Sequence, residues 1–219
     1  MNAAAFAELP DDPGLRLVWP TPNHRLFDQP ERYFARTRAN PDYGRPGWTR
    51  ECGRRFHRGC DIAPVAPIPT GQRTWVMFTD CASGREYSSE EPTWLADDDI
   101  FAVAGGMVTE ALTQPDVSTY GCHVVVQHAW PASGAIFFSL YAHLASVWVN
   151  QGDHVKPGAL LGRMGQTSSS ADARNWMAIA PHVHVEFHDA DGRPFNPEAF
   201  LRRYLPAPPP RPDDCMTMR

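Results

Sequence analysis

Long helices are hard to place in this chain, because proline interrupts it 22 times in 219 residues. Proline fixes φ and removes an amide donor, so it breaks helix interiors. Its usage here is about twice the average. With 16 glycines alongside, the pattern favours short strands and ordered loops. The apolar residues fit that expectation. They come in brief β-branched or aromatic runs bounded by Gly, Pro, Asn or Asp: WVMFT at 75–79, Ile100 to Val103, Met107 to Glu110, HVVVQH at 123–128, IFFSLYAH at 136–143 and VHVEF at 183–187. Shorter runs at 153–157 and 160–164 flank Pro157 and Gly158. The expected fold class is all-β, mostly antiparallel, with long loops and a Pro-rich C-terminal tail.

Three regions are distinguished. Residues 1–50 are rich in Pro, Asn, Asp and Arg and read as an extension that packs on the body. A short helix is expected near Gln29 to Arg38, with Pro30 in its first turn. Residues 51–205 read as the main domain, with an insertion at about 70–99. Within the insertion a hairpin around Trp75 to Thr79 is expected, while the hydrophilic stretch from Cys81 to Asp99 reads as a loop outside the core. Residues 206–219 carry the tail, whose PAPPPRPDD run suggests a polyproline-type extension. No internal repeat is evident.

Charge and cysteine content narrow the function classes. Lys+Arg is 20 and Asp+Glu is 25, a formal net charge of -5. Nucleic-acid binding usually needs a basic footprint, so no nucleic-acid partner is expected. The five cysteines form no CxxC pair, which leaves thioredoxin-like chemistry and Cys-rich zinc modules unsupported. Their pairing and the oligomeric state stay open. No transmembrane segment is expected, since the longest apolar run, Ile100 to Val108, is about half of what a membrane helix needs. The first residues lack the basic start and apolar centre of a signal peptide.

The chemistry concentrates in histidines. His57 and Asp61 form H-x-x-x-D, a nitrogen and an anionic oxygen of the kind that suits Zn²⁺. His182 and His184 form H-x-H on a predicted strand, so both rings share one face, together with Glu186, while Val183, Val185 and Phe187 face the other. His143 closes the LYAHL run. Taken singly, each has an ordinary structural reading: a loop histidine, an exposed strand pair, a packed core histidine. His128, His123, His154, His188 and His24 carry less signal still.

The fragments gain weight as a set. In order they are His57-Arg-Gly-Cys-Asp61, Tyr120-Gly-Cys-His-Val-Val-Val-Gln-His128, Tyr141-Ala-His143-Leu144, the glycine-spaced run from Val149 to Gly162, and His182-Val-His184, followed by Phe195-Asn-Pro197. This series resembles the LytM or lysostaphin-type zinc metallopeptidases of family M23, over about residues 44 to 205. The resemblance implies a β-sandwich or barrel-like peptidase domain. It implies one Zn²⁺ held by His57, Asp61 and His184, with His143 and His182 as catalytic residues. It implies endopeptidase action through metal-activated water, on peptidoglycan crosslinks or another peptide substrate, at the bacterial cell wall or outside the cell. Two other readings share these residues: a peptidase or amidase for a non-peptidoglycan substrate, and a non-catalytic zinc-binding or cell-wall interaction module.

The chain departs from the family pattern at three places. Cys60 replaces an isoleucine beside Asp61, and strand alternation should point its thiol away from the metal. The run from Gly165 to Pro181 is longer and poorer in glycine than usual. The third departure is the insertion.

Overall fold

The structure is a computed structural model, and it describes residues 5–38, 40–169 and 180–206. The tail beyond Pro206 and most of the Gly165–Pro181 run lie outside the described residues.

Thirteen strands are found among the described residues, and all the named pairings are antiparallel. They are β1 (Gly47–Arg50), β2 (Arg55–His57), β3 (Cys60–Ile62), β4 (Ile68–Thr79), β5 (Glu86–Leu95), β6 (Asp99–Phe101), β7 (Gly106–Leu112), β8 (Cys122–Ala129), β9 (Ile136–Val147), β10 (His154–Val155), β11 (Leu160–Met164), β12 (Val183–Asp189) and β13 (Pro194–Phe195). Nine of them form one sheet with a path β10-β7-β8-β9-β11-β6, and β12 branches from β9 to reach β3 and β13. β1 pairs with β2, and β4 with β5, in separate two-stranded sheets.

This architecture corrects the all-β, barrel-like expectation. It is β-rich and sandwich-like with long loops, but the sheet path ends on β10 and β6 without closing. Two α-helices are also present among the described residues: α1 (Pro30–Tyr33) and α2 (Pro197–Tyr204). The reason for the open, branched sheet lies in β9. Its residues Phe137 to Ala142 pair with β12, whereas Leu144 to Val147 pair with β11. Between them stands His143, with a left-handed φ of 63°. The register against β8 shifts across this point, and the register against β11 shifts just beyond it, between Leu144 and Ser146. A bulge of this kind bends the strand and re-aims a side chain, and here it hands one edge of β9 from one partner to another.

The helices also have local causes. The Asn196 side chain accepts a hydrogen bond from the Ala199 amide (3.1 Å), and Pro197 occupies the first turn, where its missing amide costs nothing. Phe200, Leu201 and Tyr204 then bury one face of α2. Helix α1 is shorter than the span expected from Gln29 to Arg38. It stops because Phe34 is already extended and bridges Ile62 of β3.

Among the described residues, one apolar core joins the N-terminal segment to the large sheet and α2. Leu15, Leu17, Trp19, Leu26 and Tyr33 from the first 50 residues pack into the same cluster as Val124, Val126, Phe137, Val185 and Phe187 of the large sheet. Phe187 stacks on Phe200 of α2 at 4.2 Å between centroids. The insertion differs from expectation in its second half. The polar segment Glu86–Leu95 is not a loop but a full strand against β4. Cys81, in the turn that joins them, forms a disulfide with Cys52. Cys60 and Cys122 are free and buried.

Candidate metal centre

Antiparallel pairing builds the site. Asp61 of β3 lies directly opposite His184 of β12, so their side chains project from one face as neighbours. His57, at the end of β2, returns to the same point through the Arg58–Gly59 turn. Three atoms then face one another: His57 Nε2 and His184 Nδ1 at 3.1 Å, His184 Nδ1 and Asp61 Oδ1 at 2.9 Å, and His57 Nε2 and Asp61 Oδ1 at 3.2 Å. All three residues are buried.

Hydrogen bonds on the far side of each ring decide which nitrogen faces inward. His57 Nδ1 donates to the Arg45 carbonyl at 2.8 Å, which leaves Nε2 as the inward atom. Arg45 is in turn held by Glu198 of α2, 3.0 Å away. His184 Nε2 donates to Glu186 Oε1 at 2.7 Å, so Nδ1 faces Asp61. Glu186 also accepts from Tyr120 Oη (2.9 Å) and His188 Nε2 (2.5 Å). Outer partners of this kind orient metal-binding histidines.

The donor chemistry fits a small dication. Two imidazole nitrogens and one carboxylate oxygen are a normal zinc set, and bonds of about 2.0–2.2 Å to a tetrahedral ion place ligand atoms about 3.3–3.6 Å apart. The observed triangle is within a few tenths of an ångström of that. The electrostatics agree. Burial would raise the Asp61 carboxyl, but His182, Arg50 and His57 around it hold it well below the usual range. Burial would also lower His184, yet hydrogen bonds to Asp61 and Glu186 push it up to about 9. Two carboxylates therefore demand positive charge at this point. A proton on His184 Nδ1 supplies it, and a metal ion could take that proton's place.

His143 and His182 stand beside the triangle. Their ring centroids are 4.9 Å apart, and His143 is 5.8 Å from His184. His143 Nδ1 donates to the Thr167 carbonyl at 2.7 Å, and His182 Nδ1 to the Ala180 carbonyl at 2.8 Å. Both keep a free lone pair on Nε2. Burial lowers both, His143 to about 3 with help from the neighbouring rings His182 and His184. Each is thus a neutral base at physiological pH.

All five residues singled out in the sequence converge here, and Cys60 points instead into the apolar core. Sequence reasoning missed Arg50. Its guanidinium is buried, donates to Asp61 Oδ2 and lies 3.0 Å from His57 Nε2. It sits in an arginine-rich stretch with no motif around it, so nothing in the sequence marked it. The Arg45 carbonyl was equally invisible, because a backbone acceptor leaves no trace in residue identity.

Comparison with known proteins follows the geometry. The model of peptidase family M23 matches residues 94–197. That span carries His143, His182 and His184, while His57 and Asp61 precede it and are brought in by the fold. Among solved structures, the catalytic domain of the antimicrobial peptidase lysostaphin from Staphylococcus simulans is 19% identical, over 80% of this chain and 96% of that one, with a TM-score of 0.46. The catalytic domain of the prophage-encoded M23 protein EnpA from Enterococcus faecalis is 20% identical, over 66% of this chain and 78% of that one, with a TM-score of 0.39. The SpoIIQ–SpoIIIAH pore-forming complex matches at 21% identity over 94% and 98%, with a TM-score of 0.47. No curated protein matches the chain. Residues 94–197 thus match peptidase family M23, and the fold completes from outside that span a His-Asp-His cluster typical of catalytic zinc metallopeptidases.

Proposed function

We propose that the chain is a zinc-dependent endopeptidase that binds one Zn²⁺ through His57, Asp61 and His184 and hydrolyses peptide bonds, with peptidoglycan crosslinks at the bacterial cell wall as its substrate. The observation that carries this reading is the triangle of inward atoms at 2.9–3.2 Å with two further neutral histidines beside it. Three protein ligands leave a fourth tetrahedral position for water or substrate, the mark of a catalytic zinc site. The substrate class is supported by the family resemblance.

Bound zinc would supply Lewis acidity, lowering the pKa of a water and polarising the scissile carbonyl. The chain's own residues do the rest. Glu186 and the Arg45 carbonyl keep the two ligand rings turned so that Nδ1 of His184 and Nε2 of His57 face inward. His143 and His182 present unprotonated Nε2 atoms able to take the proton of an attacking water and return it to the leaving amine. The Thr167 and Ala180 carbonyls hold those two rings in the tautomer that this transfer needs.

The test separates ligands from proton carriers. Ala variants of His57, Asp61 and His184 should lose zinc, read by elemental analysis of the purified protein. His143→Ala and His182→Ala should keep about one zinc per chain and lose about 10²- to 10⁴-fold in rate, read by dye release from labelled bacterial cell walls. Zinc retained in the triple ligand variant would refute the ligand set. Full activity in both histidine variants would refute their catalytic role.

A further inference from the structure

We infer that Arg50 is a resident cation of the metal centre that competes with the metal for His57 and so sets how tightly the site holds zinc. This rests on the reading of the site as a zinc centre.

Arg50 ends β1, beside the 3₁₀ turn Glu51–Gly53. Its side chain is almost wholly buried, and its guanidinium carbon lies 3.6 Å from the centroid of the Tyr43 ring. Nη2 donates to Asp61 Oδ2 and lies 3.0 Å from His57 Nε2. Because His57 Nδ1 already donates to the Arg45 carbonyl, Nε2 holds the ring's single in-plane lone pair. That lone pair can accept from Arg50 or bind a metal, but it cannot do both.

Two further observations tie Arg50 to the ligand cluster. Arg50 Nε is buried without a hydrogen-bond partner. Buried donors are normally satisfied, so this guanidinium is fastened by the ligand residues and the Tyr43 face and by little else. The ligand residues and Arg50 are also buried, so a guanidinium next to a dication feels repulsion that bulk solvent and salt screen little. Asp61 offers two oxygens, and Oδ1 faces the histidines while Oδ2 takes Arg50. Arg50 can therefore stay on Asp61 when the metal arrives, but it must release His57 and tolerate the added charge. Both effects weaken metal binding.

The experiment is competition for zinc between the full chain and a chromophoric chelator, for the wild type, Arg50→Gln and Arg50→Lys. Arg50→Gln should bind zinc at least tenfold more tightly. Arg50→Lys, which keeps the charge, should fall closer to the wild type than Arg50→Gln does. Equal or weaker binding in a natively folded Arg50→Gln would overturn the inference while leaving the zinc reading intact. Absence of zinc binding in every form would overturn both. A measurement on the wild type alone guards against a variant that misfolds: the arginine side-chain ¹⁵N resonance of Arg50 should shift as zinc is titrated in. A resonance that does not move through saturation would show that the two cations do not meet.

Discussion

At the scale of single residues, the site depends on what is missing as well as on what is present. Gly59 lies in the turn between His57 and Asp61, and the His184 ring packs against its α-carbon. A β-carbon there would meet His184 Cε1, lie 2.5 Å from His184 Nε2 and sit 2.7 Å from the Val185 carbonyl. Real β-carbons do not approach so closely, and the backbone carbonyl cannot yield. Gly59→Ala should therefore displace the His184 ring from Glu186 and from the metal position. The expected result is a folded protein whose zinc affinity falls at least tenfold, measured by the same chelator competition. Unchanged affinity would mean that the turn can shift without cost. His143 makes the complementary case. It holds a left-handed φ that costs a non-glycine residue about 1–3 kcal/mol, and its amide is tied to the Tyr120 carbonyl at 2.8 Å. That strain turns the imidazole toward the site at the one point where β9 changes partners.

At the scale of elements, the β4–β5 hairpin is the feature that composition concealed. Glu86–Leu95 reads EYSSEEPTWL, polar and broken by Pro92, and apolar periodicity gives no reason to expect a strand. It is one because β4 supplies the hydrogen-bonding edge, with Phe78 stacked on Tyr87 at 5.4 Å and Thr70 paired with Thr93. The hairpin forms its own two-stranded sheet and joins the body near the site through Cys52–Cys81. Pro69 and Trp94 face each other in register at its base, so the chain can be closed there by a short bridge. Replacing residues 70–93 with Gly-Ser in a Cys52→Ser background should leave a folded protein with zinc affinity within about threefold of the parent, since loop closure costs rise slowly with length. Substrate preference should change. Circular dichroism and zinc titration check the first statement, and a panel of labelled peptides the second. Global unfolding would show that the hairpin supports the core.

At the scale of the whole molecule, buried histidines couple stability to pH. His128 is buried and donates Nδ1–H to the Gly105 carbonyl at 2.9 Å, with Ser139 Oγ 2.7 Å from Nε2. Burial pushes its pKa down to about 4. An unfolded histidine titrates near about 6.5. Between those values the unfolded chain takes up a proton that the folded one refuses, so stability should fall as pH drops from 6.5 toward 4 and level off below. The contribution is about 3 kcal/mol at most. Urea unfolding from pH 7 to 4 should show a shallower loss in His128→Gln than in the wild type, and equal slopes would refute the assignment. The sequence alone determined the short-strand character, through proline spacing and β-branched runs. It also brought His57, Asp61, His143, His182 and His184 forward as candidates, because the order of H-x-x-x-D, Y-x-H-L and H-x-H along the chain resembles family M23, while local geometry by itself puts only His182 and His184 on one face. Local geometry does not reach across the chain, and there the tertiary structure decided. It paired Asp61 with His184 over 123 positions, left the sheet open and branched at His143, drew Leu15, Leu17, Trp19, Leu26 and Tyr33 into the core, and set Arg50 among the ligands. Those outcomes depend on cross-strand register and on which buried donor finds which acceptor, quantities that exist only once the strands have met.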